Sequence, residues 1–378
     1  MIKEIEIERF KGLRKTPMLE LGKVNLLTGA NGRGKSSLCQ VLLMLAQTWD
    51  AEAMNALMPK GKWVDLGVYA DVHYVYDSDS TILFHLVTDD TTDNDFRITY
   101  DHGASKNTLI ELANVSVNGK SIMDSSGNSM GSFSSDFSSD FDVRLSRLSD
   151  YPSLMALRHV HYIAANRIAA PYREALEENA ITLTPDGANV LSVLWNHRED
   201  GCIQEVEKLM GEILGGAEIK LEPSANDLVF TLNSFKDSVL FRPANVGYGH
   251  GFILSVVTAL AIAKEKDLII VENPEAHLHP AAQAKLMNAI IEVANRKDLQ
   301  IFVETHSDHI LNTSLVAIKD GKLTTDGFQV LFFSGRTNAD GHFESTVQNL
   351  EVTSGGHIIG APRMFFEQYA ADLEKLYL

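Results

Sequence analysis

Residues 29–36 read GANGRGKS, and this stretch constrains the fold more than any other part of the chain. The run KVNLLTG (23–29) that leads into it is compact and apolar, as in a buried strand. The run SSLCQVLLMLAQTW (36–49) that follows has apolar residues at helical spacing. The pattern G-x-x-x-x-G-K-[ST] between a strand and a helix is typical of a phosphate-binding loop. We therefore expect a phosphate site in the loop between this strand and this helix.

This phosphate loop supplies several kinds of contact. Its glycines let backbone N–H groups turn inward around phosphates, and the start of the following helix adds its dipole. We expect Lys35 to reach the terminal phosphates and the Ser36 hydroxyl to be a ligand of Mg²⁺. The predicted phosphate-binding residues are Gly29, Ala30, Asn31, Gly32, Arg33, Gly34, Lys35, Ser36 and Ser37.

Two later strands supply the polar groups that such a loop needs. In LIIVENPEAHLHP (268–280) an apolar run ends at Glu272, and a third apolar run, IFVETH, ends at His306. A phosphate loop works with an acid on a second strand that organises Mg²⁺, so Glu272 is the predicted metal ligand beside Ser36. We expect His306 to lie beside the γ-phosphate. The candidate catalytic residues are Glu272, Asn273, Glu275 and His306.

A second glycine turn, residues 247–251, opens the apolar helix in NVGYGHGFILSVVTAL (245–260). Free backbone amides at a helix start can bind an anion. The first loop already occupies one face of the nucleotide, so a second cradle makes sense if it serves the nucleotide of another subunit. The residues expected to contact that phosphate are Gly247, Gly249, His250 and Gly251.

Charge argues against a protein that wraps nucleic acid. The chain has 33 basic and 50 acidic residues and a net charge of −17, the opposite of the balance that phosphate backbones attract. A local basic patch, Arg9, Lys11, Arg14 and Lys15, leaves DNA contact open.

Cysteine usage and apolar runs bear on the compartment. The two cysteines, Cys39 and Cys202, imply no disulfide framework and fit a reducing environment. The start MIKEIEIERF has no apolar secretion segment, and the longest apolar run, residues 252–263, is too short to span a bilayer. The sequence predicts a cytoplasmic protein that does not cross a membrane.

The distribution of apolar and polar residues along the chain predicts its organisation. Strand and helix alternate from 252 to 310, which favours a parallel α/β sheet with functional residues at the carboxyl ends of its strands. Residues 70–160 read as a β-rich lobe of short strands, including DVHYVYD (71–77). Inside it, the Ser- and Asp-rich stretch 124–142 is a predicted mobile loop. Residues 170–215 read as a helical insertion.

Taken in order, these motifs resemble the ABC-type ATPase heads of the SMC, RecF and OLD-like group. IEIERFKGL resembles their first strand, GANGRGKS their Walker A loop, VGYGHG their signature loop, IIVENPEAHLHP their Walker B strand and D-loop, and ETHSDHIL their switch-histidine segment. The texture is nearest to stand-alone bacterial AAA-family ATPases with ENPEAHLHP, whose tails resemble RMFFEQYAADLEKLY (363–377). Several such relatives work in phage defence beside an effector protein.

The resemblance implies an α/β P-loop NTPase fold, with residues 1–378 as a single head. Residues 245–312 would hold the signature loop, Walker B strand and switch histidine. It implies an ATPase that uses ATP and Mg²⁺, pairs head to head with a second copy when ATP is bound, and controls an effector protein encoded nearby, in antiviral defence.

This chain departs from that group at three places. Asn273 stands where relatives carry the glutamate that acts as general base, and an amide positions water but accepts no proton. Gly251 stands where the signature loop usually carries a serine. The region WVDLGVYADVHY (63–74) contains no glutamine of the Q-loop kind. We therefore expect slow hydrolysis.

Two other interpretations compete with this one. A DNA-repair or DNA-maintenance ATPase would bind duplex DNA directly. A metallohydrolase would use His277, His279, His306 and His309 with Glu272 or Glu275, because H-x-H and H-x-x-H pairs occur in hydrolytic metal sites. A nuclease within the chain is disfavoured, because TTDGFQVLFFSGR after His306 lacks an acidic triad.

Overall fold

The structure is a computed structural model of the 378-residue chain. The residues it describes are 1–51, 56–102, 110–121, 151, 154, 157–216, 218–233, 239–362 and 375. The predicted mobile loop at 124–142 and the tail from residue 363 lie outside these residues, apart from Lys375.

A seven-stranded sheet forms the centre of the described structure, in the order β10-β14-β15-β4-β16-β17-β18. Five of these strands, β10, β14, β15, β4 and β16, are parallel, and β17 and β18 add an antiparallel edge. This sheet and the helices around it confirm the predicted α/β fold class. Its strands are β4 (Val24–Gly29), β10 (Val160–Ile163), β14 (Leu268–Glu272), β15 (Gln300–Glu304), β16 (Phe328–Thr337), β17 (Phe343–Val352) and β18 (Ile358–Ile359).

The two faces of the central sheet bury different cores, because successive side chains of a strand point to opposite faces. In β14, Ile269 and Val271 join one apolar cluster, and Leu268 and Ile270 join the other. Both faces are therefore covered, as is usual for a parallel sheet.

Helix α1 (Lys35–Asp50) covers one face together with an antiparallel sheet. It is buried on nearly every side, which explains its apolar sequence. The sheet has eight strands in the described residues, with the order β2-β1-β6-β7-β8-β5, β3 beside β1 and β9 beside β8. These are β1 (Ile2–Phe10), β2 (Leu13–Lys15), β3 (Leu19–Glu20), β5 (Ala56–Leu57), β6 (Ile82–Thr88), β7 (Asp95–His102), β8 (Ile110–Val117) and β9 (Lys120–Ser121).

The predicted strand at 71–77 is wrong. Its first residues belong to a single helical turn, α2 (Tyr69–Val72), in which the Asp71 carboxylate accepts the Val68 N–H at 2.9 Å. His73 makes only an isolated bridge to Phe10 of β1, and Val75 and Tyr76 follow at 74% and 54% exposure.

The other face carries most of the remaining helices and a small sheet, β11-β13-β12. The helices are α3 (Val190–Asn196), α4 (Cys202–Leu214), α5 (Tyr248–Ile262), α6 (Pro280–Lys297) and α7 (Asp308–Lys319). The strands are β11 (Arg173–Ala175), β12 (Glu218–Ser224) and β13 (Asp227–Asn233).

The region predicted to be helical from residue 170 is helical only from Val190. Residues 173–175 instead pair with β13, and the Glu174 carboxylate accepts the N–H groups of Leu191 and Ser192 at the start of α3. Pro171 and Pro185 flank this stretch, and proline breaks a helix interior.

Nowhere in the described ranges does a helix combine the length and the apolar character needed to span a bilayer.

Candidate functional site

The phosphate loop lies between β4 and α1, as predicted. Gly29 ends β4 at φ 133°, where an added Cβ would collide with the Phe333 carbonyl of β16. Gly34 precedes α1 at φ 97°, a left-handed conformation that glycine adopts without strain. Between them, the Arg33 guanidinium lies over the Phe343 ring at 4.8 Å from its centroid. Both ends of the loop therefore require glycine, Gly29 for its close approach to β16 and Gly34 for its left-handed backbone.

Lys35 folds back over this loop. Its Nζ donates to the carbonyl oxygens of Gly29 at 3.0 Å and Ala30 at 3.1 Å, and it lies 4.0 Å from the Glu304 carboxylate. Only 4% of the residue is exposed, and burial lowers its pKa while Glu304 partly opposes the shift. An ammonium held only by neutral carbonyls and one distant acid is well placed to exchange them for phosphate oxygens.

Ser36, at the first turn of α1, donates its hydroxyl to Glu304 Oε2 at 2.9 Å. Burial raises the pKa of Glu304, the nearby Glu272 raises it further, and the Ser36 and Lys35 contacts work in the opposite direction. Glu304 ends β15 and lies next to the phosphate loop because β15 pairs directly with β4. Glu304 is not among the residues predicted from the sequence.

Glu272 ends β14, opposite Glu304 in the register of the two strands. Its two carboxylate oxygens accept from the Tyr162 hydroxyl and from the Ala165 N–H, each at 3.1 Å. Both donors lie at or beyond β10, on the side away from the phosphate loop. The predicted pairing of Glu272 with Ser36 at a metal remains a prediction.

Asn273 follows in a left-handed conformation with φ 44°. Its N–H donates to the Glu304 carbonyl at 2.7 Å, and its own carbonyl accepts from Arg167 at 2.7 Å. Its side-chain Oδ1 is buried and has no hydrogen-bond partner within the described residues. The backbone of Asn273 is thus fixed on both sides.

Arg167 is the second residue that the sequence did not reveal. Its guanidinium is 3% exposed and donates to carbonyls of Glu272 at 2.8 Å, Asn273 at 2.7 Å and Phe252 at 3.3 Å. Burial lowers its pKa to about 10. It belongs to no recognisable motif, and its role depends on carbonyls far away in sequence.

Glu275 joins the end of β14 to the switch segment, residues 305–307. Its Oε1 accepts from the Thr305 hydroxyl at 2.7 Å and from the His306 N–H at 3.0 Å, and its Oε2 is buried and has no hydrogen-bond partner among the described residues. His306 therefore lies just beyond β15 on a backbone held by a carboxylate. Partial burial, and then the charge of Lys35, lower the pKa of His306, and Glu275 opposes the shift.

The second glycine turn forms the start of α5. Gly247 precedes the helix, and no side chain caps it. A Cβ at Gly249 would lie 2.9 Å from the His277 carbonyl oxygen, and one at Gly251 would lie 3.0 Å from the Ala169 side chain. Burial lowers the pKa of the neighbouring His250. The turn packs against the segment that follows β14.

Three of the four histidines of the competing metal hypothesis make other contacts. His279 caps α6 by accepting the Ala281 N–H, His277 packs on the Phe252 ring at 4.3 Å between centroids, and His309 lies beside Asp308. Over the described part of the chain, no three His, Cys, Asp or Glu side chains group as metal ligands. The histidines therefore give the metallohydrolase interpretation no support.

The site fits the Mg²⁺ of a bound nucleotide. Mg²⁺ prefers oxygen ligands and takes one or two carboxylates together with substrate phosphates. The Ser36 hydroxyl and the Glu304 carboxylate are oxygen ligands on adjacent elements, and the buried Asn273 Oδ1 has no partner among the described residues.

A comparison with family models adds a match over residues 77–312, more than half of the chain. The family is described as "AAA domain, putative AbiEii toxin, Type IV TA system". No curated protein matches the chain.

Solved structures of SMC heads are among those similar to the chain. A structure of an SMC head bound to the C-terminal winged-helix domain of ScpA is 13% identical, covers 93% of this chain and 98% of its own, and has a TM-score of 0.53. The SMC head domain from Thermotoga maritima is 11% identical over 93% and 99% of the two chains, with a TM-score of 0.49. An SMC head from Pyrococcus furiosus bound to the C-terminal domain of ScpA is 12% identical over 100% and 99%, also at 0.49.

Proposed function

The chain belongs to the AAA-domain family described as a putative AbiEii toxin of a type IV toxin–antitoxin system, and from that premise we propose that this P-loop ATPase is an ATP-gated switch. It binds ATP with Mg²⁺, pairs head to head with a second copy, hydrolyses slowly, and passes its state to a partner protein. We assign residues 1–378 to one such head.

The contacts of Lys35 and Ser36 carry this proposal. Lys35 is held by two neutral loop carbonyls and Ser36 by a carboxylate, so the two groups expected to meet phosphate and metal are already in place. Phosphate oxygens offer Lys35 charged acceptors, which make stronger hydrogen bonds than carbonyls. Binding then needs only local exchange of partners.

The end of β14 supports slow turnover. The position after Glu272 is Asn273, whose amide oxygen accepts a hydrogen bond but whose side chain takes no proton near neutral pH. General-base catalysis contributes about 10²–10⁴-fold to reactions of this kind. Without a general base, ATP stays bound for longer, and the ATP-bound protein has time to act on a partner.

The second glycine turn supports pairing between copies. It presents an uncapped helix start, which favours anions, and its Tyr248 side chain is 67% exposed. A phosphate held by another copy would supply the missing acceptor. Isologous pairing of this kind places two nucleotides in one interface.

The family description supports a partner protein, because it names a toxin–antitoxin system. An antitoxin and a toxin are two components, and an ATP-dependent shape change is a means to control one by the other. On this ground we propose an effector protein and a role in antiviral defence. The net charge of −17 does not favour DNA as the direct partner.

The test is nucleotide-dependent association of the purified protein. We expect the wild type to bind a slowly hydrolysed ATP analogue with Mg²⁺ and to shift to a dimer in analytical ultracentrifugation. Lys35→Ala should weaken binding by roughly 10- to 150-fold, the equivalent of one lost hydrogen bond to a charged group. Unchanged binding in this variant would refute the nucleotide site.

Tyr248→Glu separates pairing from binding. A carboxylate at this helix start repels a phosphate of the opposite copy, so the variant should bind nucleotide normally and remain monomeric. Val316→Glu is the matched control, because Val316 is also exposed, at 55%, but lies on α7. A dimer that forms equally well in both variants would exclude the second glycine turn from the interface.

A further inference from the structure

We propose that Glu304, and not Glu272, is the carboxylate that works with Ser36 in holding the Mg²⁺ of the bound nucleotide. This inference rests on the proposed nucleotide function and adds a residue to its site. It replaces the assignment suggested by the motif that ends β14.

Strand order is the first observation behind it. Because β15 lies between β14 and β4, the strand adjacent to the phosphate loop is the one that ends at Glu304. Neighbouring strands are about 4.7–4.9 Å apart, and two strand widths therefore separate β14 from β4. Glu272 and Glu304 are register partners, so both stand at the same level of the sheet but at different distances from the loop.

The contacts of Glu304 are the second observation. Its Oε2 accepts the Ser36 hydroxyl at 2.9 Å, and its Oε1 lies 4.0 Å from Lys35 Nζ. The side chain is 10% exposed. A buried carboxylate needs a charged or hydrogen-bonding partner. A cation between Ser36 and this carboxylate would satisfy it more fully than one hydroxyl and one distant ammonium do.

The contacts of Glu272 are the third. Both of its oxygens already hold donors, the Tyr162 hydroxyl and the Ala165 N–H, and both donors are on the β10 side. Tyr162 is 7% exposed, and its burial raises the pKa of the phenol well above its usual range, so it remains a donor. These bonds hold the Glu272 carboxylate on the β10 side, and they give it a structural task in joining β14 to the segment after β10.

The test compares metal-dependent nucleotide affinity without turnover. A fluorescent, slowly hydrolysed ATP analogue is titrated into wild type, Glu304→Gln and Glu272→Gln, once with Mg²⁺ and once with EDTA. In Glu304→Gln the gain in affinity from Mg²⁺ should fall by about 10- to 100-fold, as for other lost metal-site partners. Its affinity in EDTA should not fall below that of the wild type, because the change removes a negative charge beside Lys35, and Glu272→Gln should keep its Mg²⁺ gain.

A double mutant sharpens the comparison. If Ser36 and Glu304 act on one cation, Ser36→Ala combined with Glu304→Gln should lose little more than either single variant, because coupled residues are not additive. Glu304→Asp keeps a buried carboxylate but withdraws it by one methylene from Ser36 and Lys35, so its Mg²⁺ gain should lie between those of the wild type and Glu304→Gln. Glu292→Gln, exposed on α6 beside Lys208, is the control for the change of charge.

Each alternative result has a distinct meaning. An unchanged Mg²⁺ gain in Glu304→Gln, or a loss confined to Glu272→Gln, overturns the assignment and leaves the nucleotide site standing. A loss of affinity in EDTA as large as that in Mg²⁺ makes Glu304 structural and also overturns it. A wild type that binds no nucleotide refutes the proposed function itself.

Discussion

The carboxyl ends of β14 and β15 have similar sequences but different contacts. Each follows a buried apolar run, each ends in glutamate, and the two glutamates are register partners. At the end of β14 the contacts are made by the backbone. Asn273 is left-handed at φ 44°, and Arg167 donates to the carbonyls of Glu272 and Asn273. At β15 the contacts are made by side chains, from Ser36 to Glu304 and from Thr305 to Glu275.

The difference shows that equal residues at equal sheet levels acquire different tasks from their neighbours. Beside β15 lies the phosphate loop, and beside β14 on its other side lies β10. A fixed backbone suits a residue that must present an amide at a constant place. A side-chain network suits residues that exchange partners when a nucleotide binds.

Asn273→Glu is expected to change the chemistry at β14 most strongly. It places a carboxylate where a general base is missing, so turnover should rise by about 10²–10⁴-fold. The left-handed backbone disfavours glutamate by about 1–2 kcal/mol, and stability should fall accordingly. Phosphate release at saturating ATP measures the gain.

Asn273→Gln is the matched control, because it has the same length and the same backbone cost without a base. Turnover in this variant should stay near that of the wild type. Equal turnover in the Glu and Gln variants would show that the side chain of residue 273 does not face the attacking water.

Arg167→Leu should break the backbone turn of β14 and spare the network of β15. It removes the guanidinium from the buried carbonyls of Glu272 and Asn273, of which the second keeps the Ala276 N–H, at an expected loss of about 1–3 kcal/mol in the free energy of unfolding. Urea-induced unfolding measures it. Arg173→Leu is the control, since its exposed pair with Asp227 contributes under about 1 kcal/mol.

A destabilisation no greater than that of Arg173→Leu would mean that water replaces the guanidinium at this turn. A normal Mg²⁺ gain in nucleotide affinity for Arg167→Leu would show that the two strand ends act separately. Loss of that gain would instead tie the fold of the β14 turn to the site at β15.

Local pattern predicted the parts of this site that are continuous in sequence. The phosphate loop, with β4 before it and α1 after it, follows from glycines flanked by apolar periodicity. The end of β14 follows from the apolar run that stops at Glu272. These features depend on residues within about one turn or strand of each other.

The missed residues depend on contacts across the fold. Glu304 matters because β15 lies next to β4, and the sequence IFVETH does not indicate which strand will pair with β15. Arg167 matters through the carbonyls of Glu272 and Asn273, more than 100 positions later in the chain. The strand Arg173–Ala175 likewise exists only because Asp227–Asn233 pairs with it.

Glu275→Gln tests the link between the two ends. Its Oε1 accepts from Thr305 and from the His306 N–H, and an amide in its place makes weaker hydrogen bonds than a carboxylate. We expect local protection of residues 305–307 to fall by about 0.5–1.5 kcal/mol. Hydrogen exchange of that segment measures the change, with Glu292→Gln as control. Exchange as slow as in the wild type would show that the switch segment does not depend on this carboxylate.

The smallest expected effect is on pH dependence at His306. Its pKa lies below the ordinary 6.5 because of partial burial and of Lys35, so the ring is neutral near pH 7. A group with a depressed pKa favours folding above its ordinary pKa, and that contribution is lost as pH falls through the depressed value. A phosphate beside the ring would raise the pKa again. Nucleotide should therefore stabilise the wild type increasingly as pH falls below 6.5.

Thermal shifts with the ATP analogue, measured from about pH 7.5 to 5.5, compare wild type with His306→Gln. Protonation of the nucleotide and of Glu304 is common to both, so the difference between the two profiles isolates the imidazole. The affinity ratio should change by about two- to threefold over this range. Parallel profiles would mean that His306 does not approach the phosphate. The chemistry that distinguishes the end of β15 would then reside in Glu304 alone.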